Sequence, residues 1–147
     1  MAHYIFNVVG PDEATRIALR DQIARSLKAG MWGVDVDEPH RDALAAGDVA
    51  LLYLGAPDRA FIGLVKLASG VHDWTPDEDR RSVYANHAPG GVSLTEAENW
   101  DPAIPMAAVL AAIAPTENAR ADFEAGVVRI TANEYATAIA VAATYAP

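Results

Sequence analysis

The hydrophobic pattern of this chain changes period several times. Tyr4 to Val9 is a short aromatic and β-branched run halted by Gly10-Pro11, which predicts a first strand. Asn7 interrupts that run, either to satisfy a turn or to offer an amide to a ligand edge. From Asp12 to Leu27 the apolar positions Ala14, Ile17, Ala18, Ile23, Ala24 and Leu27 recur at three- and four-residue spacing, which predicts an amphipathic helix. Asp12 and Glu13 in its first turn and Lys28 in its last complement the helix dipole, and Gly30 supplies a stop. After Trp32-Gly33-Val34, the segment Asp37-Glu38-Pro39 predicts a short helix through Leu44, closed by Gly47. Val49 to Leu54 is apolar at every position and is expected to be a strand buried on both faces, with Phe61 to Leu67 as the next strand. Ser69 to Gly91 holds turn formers and the charges Asp77, Glu78, Asp79, Arg80 and Arg81, a pattern that predicts a long surface excursion. Gly91 to Leu94 resumes a strand leading through Trp100. Pro105 then opens a helix with Met106, Val109, Leu110 and Ile113 on one face, ended by Pro115. Val127 to Ile130 reads as a short strand, and a capping box, Thr131 with Glu134, starts the last helix, where Ile130 is placed to staple onto Tyr135.

Strands outnumber helices without a βαβ rhythm, so the economical fold is α+β with a curled, barrel-like sheet. A chain of 147 residues fits one domain, 1–147, and buries about two thirds of its unfolded surface. Its apolar runs fall well short of the ~20 residues that span a bilayer, and the N-terminus lacks the features of a secretory signal, so a soluble cytoplasmic protein with no membrane partner is expected. The absence of cysteine removes disulfides, thiolate zinc sites and cysteine nucleophiles together. The net charge of −9 argues against a protein that coats nucleic acid with its whole surface. The early cations Arg16, Arg20, Arg25 and Lys28 are the phosphate-contact candidates, against the plainer reading of a solvated helix face.

Trp32-Gly33-Val34, then Gly47-Asp48 before a strand containing Tyr53, then Ile62-Gly63-Leu64 leading to Asp73, resembles the EVE domain of the PUA-like superfamily. The Pro105 helix and Val127-Val128-Arg129-Ile130 before the Thr131 helix fit the family's closing elements, and YTH domains are more distantly similar. The resemblance covers nearly the whole chain. It implies a PUA-like mixed β-barrel flanked by helices, with a pocket that takes a single modified base of DNA or RNA out of its stack. A flipped base offers two π faces and one hydrogen-bonding edge, so its reader needs aromatic walls and a few fixed polar groups. By carry-over Trp32 is the first aromatic wall, against a core tryptophan packed on the helix from Asp12 to Leu27, and Trp74 the second, against a rim residue of its loop, with Asn7, the backbone at Gly33 and Val34, and Asp73 toward the base edge. Tyr53 joins the ligand candidates, although its place in the alternation suits the core, and Asp73 is equally suited to cap a turn with Thr75. Glu96 and Glu98 depart from the basic residues expected in this family, which opens the alternative of a free nucleoside or another flat small molecule.

Catalysis is not expected. His3, His40, His72 and His87 lack the spacing of a zinc helix, and no nucleophile elbow, phosphate loop or dinucleotide fingerprint is present. His72 and Asp73 are adjacent on an extended segment and point apart, which disfavours a dyad. The expectation is a binding module without metal or cofactor.

Overall fold

The computed structural model describes residues 1–8, 21, 23–34, 38, 40–54, 59–81, 90–112 and 127–145. Among the described residues seven strands make one sheet: β1 (His3–Val8), β2 (Met31–Gly33), β3 (Val49–Leu54), β4 (Ala60–Leu67), β5 (His72–Asp73), β6 (Gly90–Pro105) and β7 (Val127–Ile130). They run in the order β2-β6-β4-β3-β1-β7, with β5 added on β6. Among the described residues the pairings are antiparallel except β1 with β3, where His3 to Val8 lie level with Val49 to Leu54. Helical residues 23–29 form α1, followed by α2 (Pro76–Arg81), α3 (Met106–Ala112) and α4 (Ala132–Tyr145). This is the expected mixed α+β domain with a curled sheet.

The period-2 alternation sorts the side chains into two cores. Tyr4 and Phe6 of β1 and Ala50, Leu52 and Leu54 of β3 turn to one face, where they meet Ile23, Trp32, Val34, Leu44, Ile62 and Val92. Ile5, Leu51 and Tyr53 turn to the other, against Phe61, Ile104, Met106, Val109 and Ala138. Every residue of β3 is buried, as its unbroken apolar run predicts. At about 1.5–3 kcal/mol for each large aliphatic side chain buried, this strand alone anchors both layers.

Local signals hold where they can be followed. Thr131 and Glu134 exchange the capping-box hydrogen bonds (2.9 and 3.0 Å), and Ile130 and Tyr135 share the second core. Gly30, at φ 73°, ends α1 with its amide on the Leu27 carbonyl. Of the predicted first helix, Asp12, Glu13, Ala14, Arg16, Ile17, Ala18 and Arg20 lie outside the described residues, as do His87, Ile113 and Pro115.

Three expectations change. The helix expected from Asp37 to Leu44 is, in its described part, a single 3₁₀ turn, Arg41–Ala43, entered from a left-handed His40 and left through an extended Leu44. The excursion from Ser69 to Gly91 carries β5 and α2, because Thr75 and Glu78 make a second capping box (3.0 and 3.2 Å) ahead of Pro76. The strand after Gly91 runs 16 residues to Pro105, pairing first with β2 and β5 and then with β4. Gly63 permits that second pairing, since a Cβ there would stand 2.0 Å from the Glu98 carbonyl oxygen.

Two carboxylates tie loops to the sheet. Asp48, 5% exposed, accepts the Ala2 amide at 2.8 Å and the Ala45 amide at 3.0 Å. Glu38 accepts the Val127 amide at 3.0 Å, across 89 positions of sequence.

Candidate ligand site

Four of the sequence-predicted residues converge on the start of β6. Gly33 pairs with Gly91, and the Val34 amide donates to the Gly90 carbonyl at 3.0 Å. From the other side Asp73 pairs with Gly90 and His72 with Gly91. Side chains are excluded from β6 here: a Cβ on Gly90 would lie 2.2 Å from the His72 carbonyl oxygen, and one on Gly91 2.0 Å from that of Trp32. The Trp74 indole uses the space so left, with Cη2 2.8 Å from the Gly91 Cβ position.

Trp74 is half-buried and packs against neither core. Its ring stands edge-on to His72, with centroids 5.5 Å apart and planes at 85°. The indole Nε1 is buried and finds no acceptor among the described residues. A buried N–H without a partner costs on the order of 1–3 kcal/mol, so this donor marks a place where an acceptor would be stabilising.

His72, which meets that ring edge-on, is itself held by Glu78. The Glu78 carboxylate takes His72 Nε2 at 2.9 and 3.1 Å and also accepts the Thr75 amide at 3.0 Å. The hydrogen bond to Glu78 raises the His72 pKa, opposed by partial desolvation, and the Gly70 carbonyl contributes further. Glu78 is lowered, first by His72 and then by the Thr75 amide. On the other ring edge His72 Nδ1 lies 3.4 Å from the Gly70 carbonyl and 3.5 Å from Ser69 Oγ.

Serine, histidine and carboxylate thus stand in the order of a hydrolytic triad, but the serine is committed. Its Oγ donates to the Gly70 carbonyl at 2.9 Å and accepts the Ser93 amide at 3.0 Å, and 3.5 Å to the imidazole is too long for proton transfer. The group fixes backbone instead of presenting a nucleophile. Among the described residues no group of three or more His, Asp or Glu is placed to hold a metal ion.

The other predicted residues stand elsewhere. Trp32 shares β2 with Gly33 but turns inward, 6% exposed and stacked on Phe6 with centroids 6.0 Å apart and planes at 20°. Tyr53 is fully buried in the second core, tilted on Phe61 at 5.2 Å. Asn7 lies level with Tyr53 on β1 and shares its face by alternation. Asp73 is exposed, and Thr75 is capped by Glu78. On α1, Lys28 is exposed and Arg25 pairs with Asp21 at 2.6 Å, both side chains about two thirds exposed (63% and 67%), while Arg16 and Arg20 are outside the described residues. Sequence reasoning weighed Asp73 as the partner of His72 and missed Glu78. The signal was present in Thr75-Pro76-Asp77-Glu78, the same Thr-x-x-Glu pattern recognised at Thr131.

No protein-family model matches the chain, and no curated protein matches it. Solved structures of similar fold exist. Rpa0253 from Rhodopseudomonas palustris is 14% identical with a TM-score of 0.63, over 100% of this chain and 97% of that one. A hypothetical protein from Leishmania major is 15% identical with a TM-score of 0.64, over 99% and 96%. A mutant form of ZmASCH from Zymomonas mobilis is 12% identical with a TM-score of 0.61, over 95% and 96%. At these identities the likeness speaks for the fold alone: a mixed α+β architecture with a curled sheet, of the kind seen in the ASCH protein. No helix among the described residues is long and apolar enough to cross a membrane.

Proposed function

We propose that this chain is a cytoplasmic, non-catalytic binding module of EVE type that accepts a modified nucleobase of DNA or RNA against Trp74. The observation that carries this reading is the Trp74 indole itself. It is half-buried outside both cores, it lies on a floor of glycine backbone, and its N–H lacks an acceptor among the described residues. A flat base supplies a stacking face and an acceptor edge together, and stacking on one aromatic ring contributes about 1–3 kcal/mol. A methyl group in an apolar slot adds about 0.8 kcal/mol, so discrimination between modified and plain bases is expected to be several-fold. Trp32 supports the site from beneath by holding β2 in the core. The fold shared with the ASCH protein, read as PUA-like, is compatible with nucleic-acid binding, and Lys28 and Arg25, with Arg16 and Arg20, remain the proposed phosphate contacts.

A second reading, a receptor for a free nucleoside or similar flat molecule, is favoured by the exposed Glu96 and Glu98 on β6 and the net charge of −9, which repel a phosphate backbone.

The test is a titration of tryptophan fluorescence with single strands carrying 5-methylcytosine or N6-methyladenine, beside unmodified strands, at two salt concentrations. Saturable quenching that prefers one modified strand, weakens with salt and disappears in Trp74→Ala is the expected result. Quenching by free nucleosides but by no strand selects the second reading, and no response to either overturns both.

A further inference from the structure

The Trp74 ring is not held by a core. Its described supports are the Gly91 backbone and the edge of His72, and His72 is in turn held by one carboxylate, that of Glu78 on α2. We propose that His72 and Glu78 are positioning residues for Trp74, their ion pair acting as a proton-operated clasp that fixes the indole over Gly91 in its ligand-accepting orientation. This rests on the reading of Trp74 as the stacking wall.

Geometry supplies the coupling. Glu78 spans both oxygens onto Nε2 while accepting the Thr75 amide, so one carboxylate joins β5, the residue after Trp74 and the first turn of α2. The imidazolium form donates from both ring nitrogens, to Glu78 at 2.9 Å and toward the Gly70 carbonyl at 3.4 Å; neutral imidazole keeps one donor and loses the other. Among the described residues, charge around the ring is one-sided: Glu78 faces it from α2 and Asp73 acts on it from the same strand, whereas Gly90 and Gly91 pair with that strand from β6 and the Ser69-Gly70 turn is neutral. No cation among these groups opposes protonation of His72.

The clasp is therefore closed when His72 is protonated and Glu78 is ionised. It loosens as pH rises through the elevated pKa of His72, losing the ion pair and one of the two donors, and opens in strong acid as Glu78 takes up a proton below its ordinary range.

Two measurements on the full chain test the clasp. Without ligand, the His72 ring proton is followed by NMR and the Trp74 contribution to fluorescence as the difference between the wild type and Trp74→Phe. The expected result is one shared midpoint above 6.5, moved down in Glu78→Gln and absent from the fluorescence of His72→Gln. With ligand, affinity for the 5-methylcytosine strand is expected to fall several-fold between about pH 6 and about pH 8.5 in the wild type, and to be weak and flat with pH in His72→Gln. A Trp74 signal indifferent to the His72 titration, or a His72→Gln variant that keeps the wild-type pH profile, overturns the clasp. A strand that fails to bind at every pH overturns the stacking-wall reading instead, while an intact ligand-free titration still supports the clasp.

Discussion

Trp74 lies against Gly91 so closely that a single methyl group cannot be placed between them: its Cη2 stands 2.8 Å from the Gly91 Cβ position, which is itself 2.0 Å from the Trp32 carbonyl oxygen. Gly91→Ala must therefore push backbone as well as the indole. Overpacking of this kind costs about 1–3 kcal/mol. The expected outcome is a lowered Tm together with a changed tryptophan emission spectrum, and a variant that matches the wild type in both would show that the floor of the site is not formed by this contact.

Trp32 and Trp74 are predicted to respond oppositely to truncation. Trp32 is stacked on Phe6 inside the first core, so Trp32→Ala is expected to cost about 3–5 kcal/mol and to weaken binding only through loss of fold. Trp74→Ala leaves both cores intact and is expected to abolish binding with a Tm change of no more than a few degrees. Paired thermal melts and titrations of the two variants measure this. A stable Trp32→Ala protein that no longer binds would move the site to the other tryptophan.

Asp48 is a stability residue. Its two oxygens hold the amides of Ala2 and Ala45, and substitution by alanine leaves both part-buried donors without their partner. About 3 kcal/mol is expected to be lost, a fall in Tm on the order of 10 °C for a chain of this size, with Asp48→Asn, which keeps one acceptor, losing about half. Denaturant melts with unchanged m-values would confirm that the native state alone is affected.

The stability of the wild type should carry a pH signature that Glu78→Gln lacks. The folded pKa of His72 is raised above 6.5, so its contribution is fully present below that value and is lost as pH climbs through the folded pKa. Glu78 is lowered below 4.5, so its contribution is present above that value and is lost as pH falls through the folded pKa. Subtracting the unfolding curves of Glu78→Gln from those of the wild type should leave a plateau in weakly acid to neutral solution that declines on both sides. With the His72 side chain 35% exposed, solvent screening keeps the plateau shallow.

The parts of this fold that could be read from the sequence are those where one strong local rule acts alone. β3 is apolar throughout and is buried throughout, and Thr131 with Glu134 caps the last helix as the pattern requires. The strand from Gly91 through Trp100 was legible, whereas its continuation to Pro105 escaped because Asp101 and Pro102 interrupt the apolar pattern there. Its course is set by a close pairing with β4 that Gly63 admits, a tertiary effect with only a lone glycine as its trace. Gly33, Val34, Asp73 and Trp74, singled out from the sequence, do lie together at the start of β6, but the inward turn of Trp32 depends on Phe6, far earlier in the chain, which strand periodicity in so short a segment as β2 cannot reveal. The bond between His72 and Glu78 went unread because α2 is too short for a helical stripe and announces itself only through Thr75 and Pro76.

Glu38 has a role beyond tethering its loop. Among the described residues β7 follows β1 as the last strand of the sheet, and its first amide, on Val127, is occupied by the Glu38 carboxylate at 3.0 Å. A terminal strand with open donors is a template on which a second polypeptide can extend the sheet, and a charged group seated on such a donor refuses that growth. With the Glu38 carboxylate on that donor, the expected outcome of Glu38→Ala is a strand end open to pairing, seen first as aggregation on concentration.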